Sequence, residues 1–122
     1  MFFKCWQDTK LSKSYTQDEE GKRVFDANRT STFVGLSKRS NSQVRAIEDR
    51  TAEMLGCHAG EVEDLQLVDY RNGQHFGLHH DGGQLDEDEL TVKLAWPRRS
   101  ATVFAYLTTH EDGVGNTVFP YL

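Results

Sequence analysis

Between Tyr70 and Gly83 the chain reads YRNGQHFGLHHDGG, with three histidines and one aspartate inside seven residues and glycines on both sides. Imidazole nitrogens and carboxylate oxygens both bind divalent cations, at about 2.0–2.2 Å. In an extended chain, residues two apart project to the same face, so His79 and Asp81 point together and His80 points away. One further histidine would complete the two-histidine, one-carboxylate triad that non-haem Fe(II) oxygenases use. His75 is in phase with His79, but four residues of strand span about 13 Å, too far for one ion without a bend. His80 reads as core-facing or as a supporting donor, and His58 and His110, beside turn signals, read as solvated. The tripeptide H-x-D alone is a weak signal, because a histidine and an aspartate can simply end a surface strand.

These residues need elements to hold them. The polar stretch 8–23 reads as a loop, and RTSTFVGL (29–36) as a short strand. Ser40 to Gly56 reads as a helix: Val44, Ile47, Thr51 and Leu55 recur at spacings of three and four, Ser40 with Gln43 suggests a capping box, and Gly56 suggests the stop. Beyond Gly60 the period becomes two. LQLVDY (65–70) and HFGLHHD (75–81) read as strands joined by the turn RNGQ, and SATVFAYLTT (100–109) and TVFP (117–120) as further strands. The acidic run 86–89 reads as an exposed loop, since it lacks the alternating ligands and turn glycine of a calcium loop. The order predicts one mostly β domain with a packed helix, an α+β arrangement.

Composition narrows the function classes. The chain has 122 residues, 37% hydrophobic and 27% charged, with seven Phe, four Tyr and two Trp. That suffices for one domain. A net charge of -5 with interspersed signs argues against nucleic acid as a partner. No apolar run approaches the roughly 20 residues needed to cross a bilayer. Cys5 and Cys57 make no disulfide framework and read as two free thiols, with a single bridge between them as the alternative.

Four blocks in order resemble the prolyl 4-hydroxylase family of Fe(II)/2-oxoglutarate dioxygenases. VDYRNGQHFGLHHD resembles the family's Y-x-x-G-Q-x-Y-x-x-H-x-D block. Arg29-Thr30-Ser31 looks like its RTS motif, followed by the helix VRAIEDRTAEMLG. RSATVFAYLTT is similar to the strand after H-x-D, and DGVGNTVFP to the GGETxFP turn and strand. The resemblance implies a double-stranded β-helix (jelly roll) that hydroxylates prolyl residues of a peptide or protein, releasing succinate and CO2. It implies Fe(II), 2-oxoglutarate and L-ascorbate as cofactors and a proline-containing substrate as partner, in the endoplasmic reticulum or cytoplasm. His79 and Asp81 would be iron ligands. Tyr70, Thr117 and Tyr106 would lie at 2-oxoglutarate, and Arg29, Ser31 and Arg99 along the peptide groove.

The family's second motif tyrosine is Phe76 here, and its double glycine is Val114-Gly115. The family's second iron histidine and its 2-oxoglutarate-binding basic residue follow the TVFP strand, beyond Leu122. The resemblance therefore implies a jelly roll truncated at both ends: a polar remnant over 1–28 and a partial dioxygenase domain over 29–122, without turnover from these residues alone. The alternative is a non-catalytic remnant that binds a peptide or a partner chain.

Overall fold

Helix α1, Ser42–Leu55, is closed at both ends by side-chain and backbone chemistry. Asn41 is the N-cap, in place of the expected Ser40: its backbone is extended, and its Oδ1 accepts the Val44 N–H at 2.9 Å. That satisfies one of the donors a helix start leaves orphaned. Gly56 stops the helix at φ +66°, a left-handed conformation that glycine adopts without strain. The computed structural model describes residues 10–17, 22–25, 27–86, 88, 91–94, 98–109 and 114–120.

The buried stripe of α1 is Val44, Glu48 and Ala52, not the expected line Val44, Ile47, Thr51 and Leu55, in which Ile47 and Leu55 are 39% and 43% exposed. Glu48 is fully enclosed because both its carboxylate oxygens accept the Arg39 backbone N–H, at 3.1 and 3.2 Å. Arg39 sits at φ +54°, and its guanidinium also binds Asp49 at 2.8 Å. A buried carboxylate thus fixes the turn that feeds the helix. Val44 and Ala52 are the buried apolar residues among those described, so the core is small.

The sheet consists of β1 (Ser12–Lys13), β4 (Thr32–Leu36) and β5 (Leu65–Asp69), antiparallel in the order β1-β4-β5. Strand β4 pairs with β5 over five residues, from Thr32 opposite Asp69 to Leu36 opposite Leu65. Strands β2 (Thr16–Gln17) and β3 (Arg23–Val24) form a ribbon, as do β6 (Gly83–Asp86) and β7 (Thr91–Leu94). A 3-10 turn at Ala59–Glu61 links α1 to β5, with His58 as its cap accepting the Gly60 N–H. One helix and a small antiparallel sheet agree with the mostly β, α+β expectation. The jelly roll itself is not completed among the described residues.

Three local expectations change. The stretch 8–23, expected as a loop, contributes β1, β2 and part of β3, and β1 joins the sheet across the expected boundary at residue 28. The link is stitched by Ser14 and Ser31, both fully enclosed, with their hydroxyls 2.9 Å apart. Residues 75–81 make only single bridges, Phe76 to Arg29 and His80 to Gly83, because the Thr30 hydroxyl takes the His75 N–H that a ladder would use. Residues 101–109 and 116–119 alternate as strands do but carry no ladder among the described residues, since alternation supplies a face and not a neighbour to pair with. Cys57 is a free thiol, while Cys5 and His110 lie outside the described residues.

Candidate metal centre

The loop from Asp69 to Gly83 lies against the segment just before β4. Gly77 donates its N–H to the Asn28 carbonyl at 2.8 Å, and Thr30 donates to His75 at 3.0 Å. A Cβ on Gly77 would overlap the Asn28 side-chain amide, which would have to shift to admit it. The Gln74 amide reaches the Thr30 carbonyl at 2.7 Å and pins the turn.

These contacts place His79 beside Asp81. Its Nδ1 lies 2.8 Å from the Gly77 carbonyl, and its Nε2 lies 3.1 Å from Asp81 Oδ1. A carbonyl only accepts, so Nδ1 donates to it and Nε2 is left facing the carboxylate. A metal-binding histidine characteristically fixes its other nitrogen on a backbone carbonyl in this way. Imidazole nitrogen and carboxylate oxygen are donor types that divalent metals take, so His79 and Asp81 are the residues that would hold one. Among the described residues no third His, Cys, Asp or Glu converges on them.

Supporting groups surround the pair. Thr102 donates its hydroxyl to the other oxygen of Asp81. Phe76 stacks on the His79 ring at 3.7 Å and 11°, and the Arg29 guanidinium lies 4.7 Å over the other ring system. Arg29 also donates to the Tyr15 carbonyl at 3.0 Å and to Gln66 at 3.4 Å, while its buried Nε has no hydrogen-bond partner among the described residues. Burial pushes the Arg29 guanidinium below its ordinary value, with Tyr70 and Asp81 opposing and Arg99 adding to the shift. Arg29, Arg99, Asp81 and Tyr70 thus share one electrostatic neighbourhood.

Arg99 grips Glu63 through two hydrogen bonds of 2.8 Å each. That contact raises the Arg99 value and holds the Glu63 carboxyl below the usual carboxylate range. A depressed folded value means the stabilisation is present above the unfolded value of about 4.3 and is lost as pH falls through the folded one. Acidification is therefore expected to free residues 98–102, which carry Thr102, from the stretch before β5. Hydrogen exchange at those amides should show a step at acidic pH that disappears in Glu63→Gln; an unchanged step in that variant would remove the bridge as its cause.

The remaining expected site residues are placed as follows. Tyr70 is 44% exposed, and the Tyr106 hydroxyl lies 2.7 Å from Thr117 Oγ1, both side chains open to solvent. Ser31, expected along a groove, is enclosed against Ser14 and presents no surface to a ligand. His80, expected to face the core or support the site, is exposed, and its Nδ1 accepts the Gly82 N–H at 3.0 Å. His75 is exposed and joins the fold through its backbone. Sequence reasoning missed Thr102 and Glu63. A hydroxyl in an alternating segment and a glutamate in an acidic stretch carry no distinguishing local signal. The Phe76 stack was legible only as a departure from the family's tyrosine.

An anchored histidine next to a carboxylate, held on a loop against a small sheet, is the kind of ligand pair that non-haem iron oxygenases use. Among curated proteins, Probable prolyl 4-hydroxylase 7 of Arabidopsis thaliana is 36% identical over 112 residues, 91% of this chain and 34% of the relative. Probable prolyl 4-hydroxylase 3 of the same plant is 32% identical over 110 residues, 90% of this chain and 37% of the relative. Prolyl 4-hydroxylase subunit alpha-1 of Caenorhabditis elegans is 29% identical over 111 residues, 90% of this chain and 20% of the relative. Over about 90% of its length the chain is thus similar to proteins named prolyl 4-hydroxylases, which supports a partial domain of that family of oxidoreductases. It spans about a third of the length of the Arabidopsis relatives. No family model and no solved structure matches it. Among the described residues no helix is long and apolar enough to cross a membrane.

Proposed function

We propose that this chain carries the metal-holding portion of an Fe(II)/2-oxoglutarate-dependent dioxygenase of the jelly-roll type, which hydroxylates prolyl residues of a peptide or protein. The observation that carries this reading is the 3.1 Å approach of His79 Nε2 to Asp81 Oδ1, with Nδ1 anchored on the Gly77 carbonyl. In it, His79 and Asp81 hold the iron. Fe(II) with 2-oxoglutarate and O2 supplies the oxidising power to hydroxylate a prolyl C–H bond with release of succinate and CO2, and L-ascorbate keeps the metal reduced. Thr102 holds the second carboxylate oxygen, so Asp81 presents Oδ1. Phe76 lies flat on His79 and limits rotation of the imidazole. Tyr70, Tyr106 and Thr117 are assigned to 2-oxoglutarate, and Arg29 and Arg99 to the substrate peptide. Ser31 is left out of that set because it is enclosed.

The test is succinate formation from 2-oxoglutarate, with Fe(II), ascorbate and a proline-rich peptide supplied. Succinate together with hydroxyproline in the peptide is expected from the protein that contains the full ligand set. Their absence, with metal still bound at His79 and Asp81, would favour a second reading, a non-catalytic module that binds a peptide or partner chain. Exposed Phe104, Tyr106, Val118 and Phe119, at 64–74%, are the observation in favour of that reading.

A further inference from the structure

A concave surface that does not include His79 or Asp81 lies between the sheet and the β2–β3 ribbon. It is a cleft of about 430 Å³ lined chiefly by Lys13, Tyr15, Arg23, Phe25 and Phe33. That volume is within the ordinary range for ligand sites. Three rings form its apolar wall: Tyr15 meets Phe33 edge-on at 5.3 Å and Phe25 at 6.3 Å. Two cations lie on those rings, Arg23 at 4.6 Å over Tyr15 and Lys13 at 5.9 Å over Phe25. Both cations are exposed, and neither has a carboxylate partner among the described residues.

We propose that this cleft binds a peptide segment in which a proline ring stands beside an acidic side chain. An aromatic-lined groove suits the rigid extended form that proline imposes, because little conformational entropy is lost when it docks. The apolar ring lies on the Tyr15, Phe25 and Phe33 faces, and the carboxylate meets Lys13 and Arg23. The charge complementarity selects the occupant: two cations that have no carboxylate partner among the described residues favour an acidic segment over a neutral or basic one. The proposal takes from the functional reading only that the ligand contains proline. It adds that substrates with an acidic residue next to proline are preferred.

Binding is measured by fluorescence anisotropy on the full chain without metal or 2-oxoglutarate, so its outcome is separate from that of any turnover assay. The probes are a labelled proline–glutamate peptide, the same peptide with glutamine for glutamate, and the same peptide with alanine for proline. The glutamate peptide is expected to bind about threefold to tenfold more tightly than its glutamine counterpart, the range for two exposed ion pairs. Loss of the proline ring is expected to weaken binding about fivefold. Both differences rest on Lys13 and Arg23 or on the three rings: Lys13→Ala with Arg23→Ala removes the glutamate preference, and high salt removes it from the unaltered chain. No binding, equal binding of the glutamate and glutamine peptides, or a preference that survives salt and the double variant overturns the proposal.

Discussion

Asp81→Asn is expected to lower the affinity of the chain for Co(II), a visible-absorbing stand-in for Fe(II), by about 100-fold or more. Removing a group that merely supports a ligand costs roughly 10- to 100-fold in metal affinity, so removing the ligand itself costs at least the upper end of that range. His79→Ala is expected to do the same, because Nε2 and Oδ1, 3.1 Å apart, are the two donors that converge. Thr102→Val, which leaves both donors and frees one carboxylate oxygen, is expected near tenfold. His75→Ala is expected to change little, because His75 joins the loop through its backbone and its ring is exposed. A Co(II) titration followed by absorbance checks the set. Full binding in Asp81→Asn, or loss in His75→Ala with His79 intact, would transfer the site to other residues.

The largest stability effect is expected at Glu48. Glu48→Ala removes the acceptor of the part-buried Arg39 N–H and leaves a void where the enclosed side chain was. An orphaned buried donor costs about 1–3 kcal/mol, and acceptance by a charged group lies at the stronger end. A loss of about 2–3 kcal/mol is expected, a large part of a total stability of about 5–15 kcal/mol. Glu48→Gln keeps one oxygen in place and is expected to lose about half as much. Urea unfolding of the three proteins gives the order; a Glu48→Ala protein as stable as the parent would mean that water reaches the Arg39 N–H.

Helix α1 was legible because its signals are local. Apolar residues recur at helical spacing, no Gly or Pro interrupts Ser42–Leu55, and Gly56 follows. Its cap was misplaced by one residue because Ser40 and Asn41 are both good caps, and only the backbone decides between them. Its inner face was misread because a buried glutamate looks like a solvated one until its partner, a backbone N–H nine residues earlier, is known. Strand β5 was legible from alternation, but its pairing with β4 was not, because alternation names no partner. The HFGLHHD stretch was not, since Thr30, 45 residues away, competes for the His75 N–H. The same holds for the site. The positions of His79 and Asp81 two apart could be read directly, whereas Thr102 and the Gly77 carbonyl enter only when the loop closes.

The small apolar interior has a thermodynamic consequence. The dependence of stability on denaturant scales with the surface that unfolding exposes. With Val44 and Ala52 as the buried apolar residues among those described, that slope lies toward the low end, about 1 kcal/mol per molar urea. The heat-capacity change is correspondingly small, and the stability curve correspondingly flat with temperature. A shallow slope converts a given loss of stability into a long displacement of the midpoint: the cost expected at Glu48 would move it by about 2 M. Cooperativity in this protein therefore depends less on an oily centre than on a few enclosed polar attachments, of which Glu48 to Arg39 and Ser14 to Ser31 are the clearest.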